Sequence, residues 1–328
     1  MPDPSTLPVR VSALRYEAED VVSVELNALD DAPLPSWQPG DHIDLHLRPG
    51  LIRQYSLCGA SSDHRRYLIA VKREPRSRGG SEYVHTTLRP GDTITIAPPR
   101  SKFPLTESSH PAILIAAGIG ITPITSMAKA LQLQGKPFSL NYFARSPAHV
   151  VFADEWADQD FSEHVRILLG LDSEGVRTEL DKLARNSDIS SHLYVCGPGG
   201  FMTTTLSCFK DAGFADAQLH FEKFAPDDTM ADRTPTGQPQ GSFVVRAQHS
   251  GVETEVREDE SIVEALARCG LEVPVSCEQG ICGTCVSGVL SGTPDHRDDY
   301  LTDDEKAADS QMCVCVSRST SDVLVLDL

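Results

Sequence analysis

Cys277-Glu278-Gln279-Gly280-Ile281-Cys282-Gly283-Thr284-Cys285 sets three cysteines in one short loop, and Cys315 follows after 29 intervening residues. This C-x4-C-x2-C…C spacing is the plant-type [2Fe–2S] pattern. Four thiolates must converge on two irons, so three come from one tight loop and the fourth from a distant segment packed beneath it. Gly280 and Gly283 let the loop backbone approach the cluster closely. Cys313 and Cys315 lie two residues apart and would face the same side of a strand. The spacing selects Cys315 and leaves Cys313 spare. The competing readings are a four-thiolate zinc site and plain buried cysteines. Zinc usually shows paired C-x2-C knuckles, and this chain has one such pair.

Around this loop, residues 241–328 begin with the alternating stretch Ser242–Ala247 and continue into a helix with the apolar stripe Ile262/Ala265/Leu266. They are expected to form an α+β ferredoxin-like (β-grasp) domain. Residues 227–240, polar and rich in Pro and Gly, are expected to be a linker.

Upstream, residues 105–226 alternate short apolar runs with helical patterns. The runs are Ala112–Ala117, Phe138–Phe143, Val165–Gly170, His192–Cys196 and Gln218–Phe221. Such βα alternation implies a parallel sheet covered on both faces. Two of the runs carry turns suited to a nucleotide. In Gly118-Ile119-Gly120-Ile121-Thr122-Pro123, glycines admit a pyrophosphate and the following helix N-terminus stabilises its charge. Pro123 suits a first helical turn. An ordinary strand–turn–helix matches that motif about as well. In Cys196-Gly197-Pro198 a second strand ends at the carboxyl edge, where ligands of open α/β sheets sit. A buried small hydrophobe is the competing role for Cys196.

Residues 1–104 alternate apolar and polar positions between Pro and Gly turns. Val9–Val11, Val22–Leu26, His42–Leu47 and Thr93–Ile96 read as strands of a β-barrel or sandwich. Arg53-Gln54-Tyr55-Ser56 and Arg78-Gly79-Gly80-Ser81 lie in this part. An Arg fork and a Gly-Gly-Ser turn suit a phosphate. The nearby Arg65, Arg66, Lys72, Arg73 and Arg76 leave a solvated basic face equally open.

The order R-x-Y-S, Gly-Gly-Ser turn, G-x-G-x-x-P, C-G-P and C-terminal ferredoxin resembles the phthalate dioxygenase reductase family of the ferredoxin–NADP reductase superfamily. The likeness runs through Val314-Cys315-Val316-Ser317-Arg318 near the end, so it spans nearly the whole chain. Ser77 stands where the family's phosphate turn has its first Gly. The resemblance implies a multi-domain NADH-dependent oxidoreductase carrying FMN and one [2Fe–2S] cluster. By it, Arg53 contacts the FMN phosphate with Gly79, Gly80 and Ser81, Tyr55 packs on the flavin, and Ser56 sits near N5. Gly118, Gly120, Thr122, Pro123, Gly197 and Pro198 hold the nucleotide, and Cys196 lies beside the nicotinamide C4. Glu222 is the acid near the flavin and Phe224 shields the ring. Their competing roles are a surface acid and a core aromatic. Ser56, Cys196 and Glu222 form the catalytic set. The resemblance favours NADH over NADPH; Tyr142–Pro147 itself offers no acid for a ribose diol and one Arg, a residue type that suits a 2′-phosphate.

The family resemblance implies a terminal oxygenase as partner, a Rieske-type oxygenase or demethylase. The alternatives are a cytochrome P450 and a bare electron carrier with inactive upstream domains. No Rieske Cys-x-His pair and no haem-thiolate motif is present, so oxygen activation belongs to another protein. The net charge of −18 argues against nucleic acid. It is concentrated in residues 241–328, where 17 acidic and 6 basic residues give −11, so a basic protein surface is the favoured partner. A merely solubilising acidic surface is the plainer reading. The longest apolar stretch, 111–121, is too short to cross a bilayer. Met1-Pro2-Asp3-Pro4-Ser5 lacks the basic and apolar regions of a signal peptide. A monomeric cytoplasmic protein is expected.

Overall fold

The structure, a computed structural model, describes residues 6–30, 32–75, 79–224 and 241–328. The expected linker, and Ser77 and Arg78 of the phosphate turn, lie outside the described residues. The chain divides into two compact units, Met1–Phe224 and Ala225–Leu328.

The first unit opens with β1 (Leu7–Ala18), β2 (Val21–Ala28), β3 (Asp41–Arg48), β4 (Leu51–Ser56) and β5 (Arg66–Lys72). Helix α1 (Gly80–Thr86) follows, then β6 (Thr93–Ile96) and β7 (Arg100–Ser101). The antiparallel order is β4-β3-β6-β1-β2-β5, with β7 on β3. Just beyond β4, the Cys58 N–H donates to the Leu68 carbonyl of β5 at 2.9 Å and draws the two ends of this barrel-like sheet together. The alternation read in the sequence fills it: Val9, Val11, Val24, Leu26, Ile43, Leu45, Ile94 and Ile96 form its core.

The Gly-Gly-Ser segment differs from expectation. It is the start of α1, with Gly79 as N-cap in the left-handed region (φ 90°), rather than a turn between strands. Glycine's low helix propensity conceals such a start.

The same unit continues with β8 (Ala112–Ala117), α2 (Ile121–Leu133), β9 (Phe138–Ala144), two short helical turns α3 (Ala153–Ala157) and α4 (Gln159–Ser162), and β10 (Val165–Leu169). After these come α5 (Ser173–Asn186), β11 (His192–Cys196), α6 (Gly199–Asp211) and β12 (Leu219–Glu222). The sheet is parallel, in the order β10-β9-β8-β11-β12. Successive side chains of β8 point to opposite faces. Ala112, Leu114 and Ala116 join α2 in one core, while Ile113, Ile115 and Ala117 join α5 and α6 in another. This accounts for the uninterrupted apolar run. The first of these cores also takes in Ala18, Val21, Cys58, Ala70 and Phe103, so barrel and parallel sheet share a buried seam.

The second unit contains β13 (Phe243–Ala247), β14 (Val252–Val256), α7 (Ile262–Arg268), β15 (Val286–Ser291), β16 (Pro294–Asp295), α8 (Asp303–Ala307), β17 (Gln311–Cys313), β18 (Arg318–Ser319) and β19 (Val323–Leu326). Its mixed sheet runs β14-β13-β19-β15-β17, with β13 and β19 parallel. Helix α7 starts at a capping box, Ser261 with Glu264, and buries the expected stripe Ile262, Ala265 and Leu266 against the sheet. This is the ferredoxin-like α+β architecture. Among the described residues no helix is long and apolar enough to cross a membrane.

Candidate functional site

Strands β8 and β11 are neighbours, yet the chain leaves β8 toward β9 and β10 on one side and returns to β11 and β12 on the other. The crevice between β8 and β11 is therefore the topological switch point, the usual ligand site of open α/β sheets. Both nucleotide motifs end there. A Cβ on Gly120 would fall 2.2 Å from the Cys196 carbonyl oxygen, and one on Gly197 would fall 2.9 Å from the Ala117 Cβ. The two turns are thus pressed backbone to backbone. Gly118 adopts φ 54° and has open space on its Cβ side. Its carbonyl accepts a hydrogen bond from the Tyr142 hydroxyl at 3.1 Å. Thr122 is buried and caps the turn through its hydroxyl on the Ile119 carbonyl. Pro123 lies in the first turn of α2, and Pro198 is the N-cap of α6.

Cys196 and Glu222 are register partners at the carboxyl ends of β11 and β12. The Cys196 side chain is fully buried, and burial, reinforced by the negative charge of Glu222, holds its thiol well above the ordinary value. From the barrel, the Ser56 hydroxyl donates to Glu222 Oε2 at 3.4 Å. Burial pushes the Glu222 carboxyl up to about 8, against the opposing pull of Lys102 and the Ser56 hydrogen bond. Three residues from separate parts of the sequence therefore meet at one point. Phe224 is on the surface at 37% exposure, and its neighbour Phe221 is also exposed.

On β4, Arg53 runs beneath the start of α1: a Cβ on Gly80 would lie 2.5 Å from Arg53 Cγ. The first-turn amides of a helix lack intrahelical acceptors, so a guanidinium and helix-start donors share this spot. The Ser81 hydroxyl accepts from the Glu74 N–H at 3.1 Å, which ties α1 to the end of β5. Tyr55 is half-buried against the barrel core, and burial raises its phenol above the ordinary range.

Sequence reading missed Lys102 and His42. His42 is the register partner of Ser56 and is buried, with no hydrogen bond to either ring nitrogen. Burial, with Lys102 and then Arg100 nearby, pushes its imidazole down to about 3, so it is neutral. The one clue was its place in an alternating strand, where a polar residue reads as solvent-facing.

In the second unit the sulfurs of the three-cysteine loop and the 313–317 segment fall into one pair and one group of three. The Cys277 thiol donates to Cys282, and both Cys313 and Cys315 donate to Cys285. These bonds hold Cys282 and Cys285 below the ordinary thiol range and their donors above it. The Gln279 N–H points at the Cys277 sulfur at 3.3 Å, and the Gly280 N–H at Cys315. Four of these five sulfurs, Cys277, Cys282, Cys285 and one of Cys313 and Cys315, are the donor number and chemistry that a two-iron cluster needs.

Gly280 (φ 70°) and Gly283 (φ 71°) are required by this enclosure. A Cβ would meet Val316 Cγ2 at 2.7 Å in the first case and the Tyr300 ring at 2.2 Å in the second. The expectation that Cys313 and Cys315 share a strand face is corrected: β17 ends at Cys313 and Cys315 lies in the following turn. Cys313 is fully buried in the core, whereas Cys315 is half-buried beside the loop.

A barrel and a parallel sheet sharing a seam, with a switch-point crevice, together with a ferredoxin-like unit enclosing four sulfurs, define a modular electron-transfer oxidoreductase that takes its electrons from a nicotinamide nucleotide. Residues 245–320 match the family described as the 2Fe-2S iron-sulfur cluster binding domain. The vanillate O-demethylase oxidoreductase of Pseudomonas sp. (strain HR199 / DSM 7063) is 43% identical over 322 residues, covering 98% of this chain and 99% of the relative.

A solved phthalate dioxygenase reductase, described as a modular structure for electron transfer from pyridine nucleotides to [2Fe–2S], superposes with TM-score 0.76 at 35% identity and covers 98% of both chains. An intact type IV self-sufficient cytochrome P450 monooxygenase superposes with TM-score 0.81 at 34% identity, covering 98% of this chain and 41% of that one. The chain belongs to the phthalate dioxygenase reductase family.

Proposed function

We propose that this chain is the NADH-dependent reductase of a two-component Rieske oxygenase or demethylase, with FMN in the barrel, NADH in the β8/β11 crevice and a [2Fe–2S] cluster in the second unit. The observation that carries the reading is the meeting of Ser56, Glu222 and Cys196 at the switch point, in a chain that also encloses four sulfurs. A bound flavin would supply the chemistry of accepting an electron pair from a nicotinamide and passing it on singly to a cluster. Plant-type clusters lie near about −400 mV and Rieske centres at about −150 to +300 mV, so onward flow is downhill.

On this reading, Arg53 with Gly79, Gly80 and Ser81 holds the FMN phosphate, and Tyr55 and Phe224 flank the ring. Gly118, Gly120, Thr122, Pro123, Gly197 and Pro198 form the nucleotide cradle. Cys196 and Ser56 orient the reacting rings in a near-attack geometry. Glu222, holding its proton to about pH 8, is a proton store one hydrogen bond from Ser56. Cys277, Cys282, Cys285 and Cys315 bind the cluster. The proposed divisions are 1–104, 105–226, linker 227–240 and 241–328. The protein is proposed to work as a cytoplasmic monomer.

Likeness to a vanillate O-demethylase oxidoreductase supports a demethylase partner. Likeness to part of a self-sufficient P450 supports the second reading, a haem partner. The acidic 241–328 segment would steer either one by its basic face. The test is to denature the protein, chromatograph the flavin released, and follow electron transfer to purified Rieske and P450 partners across a salt series. FMN, a preference for the Rieske partner, and transfer that slows with salt while flavin reduction by NADH does not, are expected. FAD, or a preference for the haem partner, refutes the leading reading.

A further inference from the structure

The segment Asp295-His296-Arg297-Asp298-Asp299-Tyr300 is assigned no part in the function above, yet it packs on both halves of the sulfur enclosure. The Asp298 side chain is fully buried. One of its carboxylate oxygens accepts from the Leu301 N–H at 2.8 Å and the Tyr300 N–H at 3.2 Å; the other accepts from the Ser317 hydroxyl at 3.3 Å and lies 3.7 Å from His296 Nδ1. Lys306 Nζ donates to its carbonyl at 2.6 Å.

The segment reaches two separate pieces of chain. Ser317 belongs to the turn that carries Cys315, and its own N–H bonds the Cys313 carbonyl at 3.0 Å. On the other side, the Asp299 N–H donates to the Gly280 carbonyl at 3.0 Å. A Cβ on Gly280 would lie 2.9 Å from Asp298 Cα, and the Tyr300 ring occupies the space that a Cβ on Gly283 would need. The carboxylate therefore ties the fourth-cysteine turn to the backbone that wedges the three-cysteine loop.

We propose that Asp298 is a positioning residue for the cluster: it braces the Cys315 turn against the Gly280–Gly283 loop and sets a buried negative charge beside the cluster. This rests on the cluster assignment made above. Groups around a metal's own ligands commonly change metal affinity when altered, and net charge near an iron–sulfur cluster sets its potential. Removing a neighbouring negative charge makes the added electron more favourable, so the potential rises.

The experiment uses the full holo-protein and two variants, Asp298→Asn and Ser317→Ala. Asp298→Asn keeps the side-chain size; Ser317→Ala keeps the charge and cuts one arm of the brace. Bleaching of the cluster by an iron chelator is expected to quicken about 10-fold or more in both variants. The midpoint potential is expected to rise with Asp298→Asn by about tenfold in the one-electron equilibrium constant, about 59 mV, and to move much less with Ser317→Ala. Flavin reduction by NADH serves as the unaffected internal control. Bleaching and potential both at wild-type values, even with a lowered thermal midpoint, would make Asp298 an ordinary structural acid and overturn the brace while leaving the cluster assignment intact. Wild-type protein without a [2Fe–2S] spectrum would overturn that assignment and this proposal together.

Discussion

The nucleotide crevice and the sulfur enclosure are both built on glycine turns, but the turns do opposite things. In the enclosure, Gly280 and Gly283 take left-handed φ values and their missing side chains are replaced by protein: Val316, Asp298 and the Tyr300 ring. In the crevice, Gly118 is also left-handed, yet a Cβ there would meet nothing within 4 Å. Gly120 is crowded by the Cys196 backbone, and Gly197 by the Ala117 Cβ. A left-handed Ala costs roughly 1–2 kcal/mol, and overpacking adds about 1–3 kcal/mol. The same substitution therefore hits the enclosure with both penalties and Gly118 with one. A resident group calls for a closed frame, whereas an exchanging nucleotide calls for a turn left open on one side.

The comparison breaks most sharply at the ligands themselves. Cys315→Ser is expected to abolish the [2Fe–2S] visible and EPR signals, while Cys313→Ser retains them. The reverse would move the fourth ligand to the buried strand end, which also reaches Cys285.

A smaller effect sharpens the contrast within the crevice. Gly120→Ala must displace the Cys196 carbonyl, held in a strand between β8 and β12, and so shifts the thiol that is proposed to face the nicotinamide. Misplacement of about 1 Å can cost about 100-fold in rate, and that is the expected fall in the rate of NADH-driven flavin reduction. Gly118→Ala is expected to act mainly through backbone strain, within about tenfold. Stopped-flow reduction of the two variants compares them directly; equal losses would show that crowding against Cys196 is irrelevant.

These two regions also differ in how far the sequence discloses them. The cysteine loop is legible because three cysteines and both glycines fall within nine residues, so spacing itself is the geometric constraint. Spacing alone selects Cys315 as the fourth proposed ligand. The strand-face reasoning offered with it fails, because β17 stops at Cys313. In the first unit, the short motifs on β8 and β11 were readable, but their contact follows from a strand order that depends on crossovers. Ser56 and Glu222 are 166 positions apart, and their hydrogen bond arises only once barrel and sheet share a seam. The start of α1 was hidden because two glycines read as a turn. His42 and Lys102 carry no motif; only burial next to Ser56 and Glu222 gives them significance.

The smallest effect is a pH dependence confined to the crevice side of the comparison. In the folded protein, burial keeps the Glu222 carboxyl protonated up to about pH 8, whereas the unfolded chain releases that proton near its ordinary value of 4.5. Between those values the native state binds more protons than the unfolded state, so this residue makes stability fall as pH rises. Below the window there is no penalty, because both states are protonated; above it the penalty is complete and constant. Glu222→Gln removes the titration. Its thermal midpoint is expected to match the wild type near pH 5 and to exceed it increasingly up to pH 8 and a little beyond. About 1 kcal/mol moves the midpoint of a unit of 150–250 residues by about 2–4 °C, so a differential melting series resolves the gap. Lys102 opposes the shift, so Lys102→Met should raise the folded pKa further and extend the window upward. A constant difference between Glu222→Gln and wild type across this range would mean that Glu222 is ionised in the fold, leaving Ser56 bonded to a charged acceptor and the proton-store role without support.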